Sequence, residues 1–303
     1  MKRFLLSLVT FFVPIVIVSF LLEMAVRTVP NSYTYKDNYM ESHNNVQTLV
    51  LGSSNMYAGI NPSGLEHGFN LANSSQRLEY DWFLLSKYKN NFDSLKTIIL
   101  GIDVMNLYAP DYESGTSDWN RAIFYHIYMN YPKHKWYSKY AWEISCNEMF
   151  QKKVDAFFSH LMNGQYEEPC DSLGMGTYYK SENSSDLDMT EEYSKYLLQI
   201  VDFNYGKKNL EYLNQIISFC ENNNIELILI TTPCWSTFRD QSLDSFAHLD
   251  KTITDLTNNR KSVHYYNYLA DNRFIREDFY NVNHLSDIGS IKFTEILKEE
   301  VLK

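Results

Sequence analysis

An α/β domain built on a parallel sheet is the fold class that three features of this 303-residue chain predict. Short apolar runs recur at residues 48–51, 69–72, 97–101 and 225–230, a last strand candidate follows at 263–268, and stretches with helical spacing lie between them. Several runs are apolar at consecutive rather than alternate positions, the pattern of strands covered on both faces. Strands that alternate with helical crossovers pair in parallel, which gives a three-layer α/β/α sandwich.

The elements follow in chain order. Residues 4–22 form a run of 19 without a charge, preceded by Lys2 and Arg3. At about 1.5 Å per residue this run crosses a hydrocarbon core of about 30 Å. No small-residue cleavage site appears in Glu23-Met24-Ala25-Val26-Arg27, so residues 1–27 read as an uncleaved signal anchor. Pro14 is compatible with a membrane helix. The positive residues lie on the short side, which places the N-terminus in the cytoplasm and the main domain outside. No later segment is apolar enough to cross again, so a single-pass membrane protein is expected. Residues 28–45, polar and rich in Asn and Tyr, read as a linker, and residues 46–303 as the domain proper.

Leu49-Val50-Leu51 stops on Gly52-Ser53-Ser54, a buried strand feeding a tight turn that lifts a serine above the sheet end. A helix is expected over 78–88, with Leu78, Trp82, Leu85 and Tyr88 on one face. Another runs over 208–221, buried through Leu210, Leu213, Ile216, Ile217 and Cys220. Helices over 244–258 and 288–301 complete the alternation. Residues 108–202 interrupt it. This stretch carries Trp119, Trp136, Trp142, Tyr125, Tyr128 and Tyr131 but no buried strand, and reads as a helical insertion near the active rim, with 164–185 polar and mobile. It is either a lid offering aromatic faces to a sugar or an insertion that simply packs on the sheet.

Composition narrows the chemistry. A net charge of −10 with a pI near 5.3 and no basic stripe argues against nucleic acid as a partner. Cys146, Cys170, Cys220 and Cys234 show no C-x-x-C spacing, and the eight histidines show no ligand spacing with carboxylates, so neither a metal nor a redox pair is indicated. No phosphate-cradling glycine loop surrounds Gly52, so no cofactor is expected. Ligands of open parallel sheets collect at the carboxyl ends of the strands. Ser54, the turn 73–76, Asp103 and residues 231–235 all follow strands and should share one rim.

Three blocks carry a resemblance: Leu51-Gly52-Ser53-Ser54-Asn55, Asn70-Leu71-Ala72-Asn73-Ser74-Ser75-Gln76, and His284-Leu285-Ser286-x-x-Gly289. In order and separation they resemble the SGNH (GDSL-like) hydrolase superfamily, in particular its membrane-anchored exported branch acting on cell-envelope polymers. The resemblance implies a flavodoxin-like fold, Ser54 as nucleophile and His284 as its base. It also implies an oxyanion site from backbone N–H groups at Ser54 and the 73–75 turn, with Gly52, Asn73, Ser75 and Asp103 lining the oxyanion or substrate site. The chain departs from the family in three places. Asn281 stands where an aspartate three residues before the histidine is usual, leaving Asn281 or Asp278 as the histidine's partner, or a Ser–His dyad that needs neither. Ser75 replaces a glycine, and Gly101-Ile102-Asp103 puts an acid where Gly-x-Asn is usual.

Two functions are therefore expected from different classes. One is a membrane-anchored serine esterase or O-acyltransferase acting on acyl groups, acetyl first, of a cell-surface glycan. The other is a non-catalytic SGNH-like domain that binds glycan or scaffolds a membrane-bound O-acyltransferase.

Overall fold

The computed structural model describes residues 2–110, 119–132, 142–143, 147–164 and 169–302. Five parallel strands form one sheet: β1 (Thr48–Leu51), β2 (Gly68–Asn70), β3 (Thr97–Gly101), β4 (Glu226–Thr231) and β5 (Val263–Asn267). Their spatial order is β2-β1-β3-β4-β5, so the winding direction reverses between β1 and β3. Leu49 sits opposite Phe69 on one side and Ile98 on the other, and Ile98 in turn opposite Leu227. Trp136, Cys146 and the Trp119 side chain lie outside the described residues.

The helices are α1 (Lys2–Arg27), α2 (Ser32–Ser42), α3 (Ser54–Gly59), α4 (Leu78–Tyr88), α5 (Val104–Leu107) and α6 (Trp119–Tyr128). After them come α7 (Asn147–Asn163), α8 (Glu191–Leu198), α9 (Gly206–Asn223), α10 (Ser236–Gln241), α11 (Leu243–Thr257) and α12 (Asp287–Glu300). Strand pleating sends successive side chains to opposite faces. Leu49, Leu51, Ile98, Leu100, Leu227 and Leu229 enter one core, where α4, α9 and α11 cover them with Leu84, Leu213, Ile217 and Leu249. Val50, Ile99, Ile228 and Ile230 enter the other, against Met56 of α3 and Phe293 and Leu297 of α12. Both faces are thus buried, as the consecutive apolar runs predict. At roughly 1.5–3 kcal/mol per fully buried large apolar side chain, these two layers outweigh any single surface contact.

Helix α1 is long and apolar enough to cross a membrane, by length and composition. Residues 28–45 are not the linker that their polarity suggests. Asn31 caps α2, its Oδ1 accepting from the Thr34 N–H at 2.9 Å. Tyr33, Lys36 and Met40, at helical spacing, are buried against the domain. The polar residues of α2 bond inward: Lys36 Nζ donates to the Ala72 carbonyl, and Asp37 accepts from Lys87 and Tyr88. Sequence polarity alone cannot show that those groups have buried partners.

Among the described residues of 108–202, α6, α7 and α8 are helical; α6 packs on α2, and Tyr125 stacks on Tyr80 at 3.9 Å. The insertion's segment 169–189 is anchored rather than loose. The Asn70 N–H donates to the Leu173 carbonyl (2.8 Å), and the Gly176 N–H donates to the Tyr57 carbonyl (3.0 Å). Asp171 Oδ1 accepts from the N–H groups of Leu173 and Met175. Gly174 has φ +86° and presses its Cα side onto the Asn70 carbonyl, where no side chain fits.

Candidate active site

The site lies at the carboxyl ends of β1 and β3, where the sheet reverses its winding and leaves a crevice. Strand β1 ends on Gly52 at φ +121°, a conformation that L side chains rarely adopt. The Gly52 N–H donates to Asp81 Oδ1 (2.9 Å), and its carbonyl accepts from the Asn73 N–H (3.3 Å). The turn is thereby pinned from α4 and from the loop after β2. Gly52 is thus a backbone element of the site. A Cβ there would meet Met56 Cγ at 2.9 Å and the Gly101 nitrogen at 3.1 Å. Gly52→Ala is expected to cost about 2–3 kcal/mol through strain and crowding, read as a lowered thermal midpoint.

The two serines after Gly52 have different jobs. Ser53 Oγ donates to Asp103 Oδ2 at 3.3 Å. Ser54, the first residue of α3, is half-buried and places its Oγ 2.7 Å from His284 Nε2. The candidate nucleophile is therefore Ser54.

His284 returns from the C-terminal side on a tight turn closed by an antiparallel bridge between Phe279 and Leu285. At the turn's tip Asn281 Oδ1 accepts three hydrogen bonds: from the N–H of Asn283 (3.2 Å), the N–H of His284 (3.0 Å) and His284 Nδ1 (2.9 Å). The two backbone N–H groups can only donate, so they fix which end of the amide is oxygen. An oxygen facing Nδ1 requires the proton on Nδ1, which leaves the Nε2 lone pair for the Ser54 hydroxyl. Desolvation of the imidazole pulls its pKa down to about 4, so the ring is neutral through the physiological range.

Asp278 is not the histidine's partner. Its Oδ2 accepts from the Ile275 N–H (2.8 Å) and from Lys292 Nζ (2.6 Å). It stands outside the Phe279–Leu285 bridge, which turns Asn281 inward and leaves Asp278 to tie the loop to α12.

Asp103 also has a specific place. Its Oδ1 caps α5 by accepting from the N–H groups of Met105 (2.7 Å) and Asn106 (2.8 Å). Its Oδ2 accepts from Ser53 Oγ and from Asn55 Nδ2 (3.0 Å). Burial pushes its pKa up. In these bonds Asp103 only accepts, so it orients the serine turn and does not act as an oxyanion donor. Asn55 passes the link on, its Oδ1 accepting from Asn283 Nδ2 at 3.4 Å. A polar chain Asp103–Asn55–Asn283–Asn281 thus joins the helix of Ser54 to the turn of His284.

Asn73 and Ser75 flank the pair on the loop after β2. Ser32 Oγ donates to Asn73 Oδ1 (3.0 Å), while the buried Asn73 Nδ2 has no hydrogen-bond partner among the described residues. Ser75 holds φ +56°, in the left-handed region that favours glycine. On the other flank Tyr179 tilts against the imidazole, with ring centroids 5.0 Å apart. Cys220 and Cys234 are buried, and burial raises both thiols' pKa, Cys220 to about 12, so both stay protonated near neutral pH.

No motif in the sequence marks Asp81, Asn283 or Tyr179 as site residues, and Asn55 stands only at the end of the first block. Asp81 had a signal: it stands three residues after Leu78 and four before Leu85, a charge on an apolar helical face. It is fully buried, and desolvation lifts its pKa to about 7. No protein-family model matches the chain, and no curated protein matches it in sequence.

Proposed function

We propose that the chain is a membrane-anchored serine esterase or O-acyltransferase of the SGNH (GDSL-like) type, with a flavodoxin-like domain held outside the cytoplasm by α1. Its substrate in this reading is an acylated, first of all acetylated, cell-surface glycan. The observation that carries it is the aligned series Asn281 Oδ1, His284 Nδ1, His284 Nε2, Ser54 Oγ at 2.9 and 2.7 Å. A packed serine that merely caps a helix does not need an imidazole held in one tautomer.

The steps follow from those atoms. Ser54 Oγ forms a bond to the acyl carbonyl carbon as its proton passes to His284 Nε2. The negative charge moves to the carbonyl oxygen. In this reading backbone N–H groups at Ser54 and in the loop after β2 would meet that charge, the Asn73 N–H itself being already given to the Gly52 carbonyl. Collapse breaks the ester bond, and the departing sugar oxygen takes the proton from Nε2. An acyl group then remains on Ser54. Water or a second sugar hydroxyl gives its proton to Nε2 and attacks the acyl carbon; the bond from that carbon to Ser54 Oγ then breaks as Oγ takes the proton back from Nε2. Asn281 holds the ring throughout without lending it a negative charge.

A fluorophosphonate probe, which reacts only with activated serines, tests this directly. Wild-type protein in detergent is expected to be labelled at Ser54, located by peptide mass spectrometry. Absence of the label, or a label that persists in Ser54→Ala, would reject the catalytic reading. The same result would favour a glycan-binding or scaffolding role beside a membrane-bound acyltransferase.

A further inference from the structure

We propose that Tyr178, Tyr179 and Tyr280 form a pyranose-stacking subsite that holds the carbohydrate part of the substrate against the Ser54–His284 pair; the assignment of its ligand rests on the acylated-glycan reading above. The three rings come from two separate parts of the chain, the insertion and the histidine's turn. Their centroids lie 5.3–5.7 Å apart, at interplanar angles of 60–90°. Tyr179 closes the series against the imidazole at 5.0 Å, and its hydroxyl is 3.5 Å from Ser74 Oγ on the loop after β2. The cluster is therefore continuous with the nucleophile's rim on two sides.

Exposure separates it from a core. Tyr178 is 67% exposed although it touches both other rings. A ring kept in water at such a place is held there by the backbone, and the backbone is fastened. The Asp287 N–H donates to the Tyr179 carbonyl (2.9 Å), and the Ser181 N–H donates to Asp287 Oδ1 (2.8 Å) at the start of α12. The platform is thus preformed on the same helix that follows His284.

The chemistry of the surface selects the ligand. Edge-to-face tyrosines present flat π faces with hydroxyls at their rims. That combination suits a sugar ring, whose axial C–H face is apolar and whose edge carries hydroxyls. The ester to be cleaved would hang from the edge of that ring, toward Ser54.

The experiment measures binding without turnover, using full-length Ser54→Ala protein in detergent. The probes are O-acetylated tetrasaccharides of neutral hexoses, of uronic acids and of N-acetyl amino sugars. At least one is expected to bind. Adding Tyr178→Ala should weaken it about tenfold or more, while Tyr178→Phe, which keeps the ring, should stay within about threefold. No binding by any probe, or equal affinities for the alanine and parent proteins, overturns the subsite. Fluorophosphonate labelling of Ser54 without glycan binding leaves the catalytic reading standing and removes the subsite. Glycan binding that depends on Tyr178 without labelling does the reverse.

Discussion

Ser54→Ala is expected to lower acetyl-ester turnover by about 10³–10⁶-fold, and His284→Ala by a similar factor. The size follows from the division of labour at the site. Without the hydroxyl there is no atom to form the acyl–enzyme bond. Without the imidazole the hydroxyl keeps its proton near neutral pH and is a poor nucleophile. Each group is useless alone, so the double variant should lose no more than either single one. That lack of additivity is the decisive readout, because two independent binding contributions would multiply instead. Release of p-nitrophenol from p-nitrophenyl acetate measures it. Thermal midpoints should stay close to wild type, since Ser54 is half-buried and, among the described residues, its hydroxyl bonds only His284. Equal turnover by wild-type and Ser54→Ala protein would remove Ser54 as the nucleophile.

The frame of this site is legible in the sequence because it depends on periodicity. Consecutive apolar residues in 48–51, 97–101 and 225–230 can be buried only by two covering layers, and the two cores on the sheet confirm that geometry. The placing of Ser54 on the strand-end rim follows from the same rule. What periodicity cannot reveal is which buried polar groups meet. Lys36 and Asp37 make residues 28–45 look solvated, yet Lys36 is fully buried on the Ala72 carbonyl, and burial lowers its pKa to about 7. Asp278 and Asn281 are equally plausible partners on spacing alone. The bridge between Phe279 and Leu285 decides between them, and that bridge is a long-range consequence of the loop packing on α12. Asp103 likewise reads as a defect in the oxyanion site until its four donors are known.

Asn281→Asp is expected to move the acid limb of the kcat/KM profile upward by about 1–3 pH units. In the wild type desolvation lowers the His284 pKa to about 4. The ring is an active base only when neutral, so activity should persist through pH 5 and fall as pH drops through about 4, rather than near the ordinary histidine value. The linkage to stability has the same sign. A histidine whose folded pKa is depressed contributes stability that is fully present above about 6.5 and lost as pH falls through the folded value. A carboxylate at position 281 would sit 2.9 Å from Nδ1 and favour the imidazolium, raising the folded pKa and shifting both limbs together. It would also stabilise the charge that develops on His284 as Ser54 attacks, so turnover at pH 8 should rise. Asn281→Ala tests the other half of the residue's work. Removing the oxygen frees the ring to flip or to carry its proton on Nε2, and the loss of the fixed tautomer should lower kcat by about 10²–10⁴-fold. An Asn281→Asp profile that overlays the wild-type one would show that Nδ1 does not feel position 281, and Asn281→Ala would then have no tautomer to release.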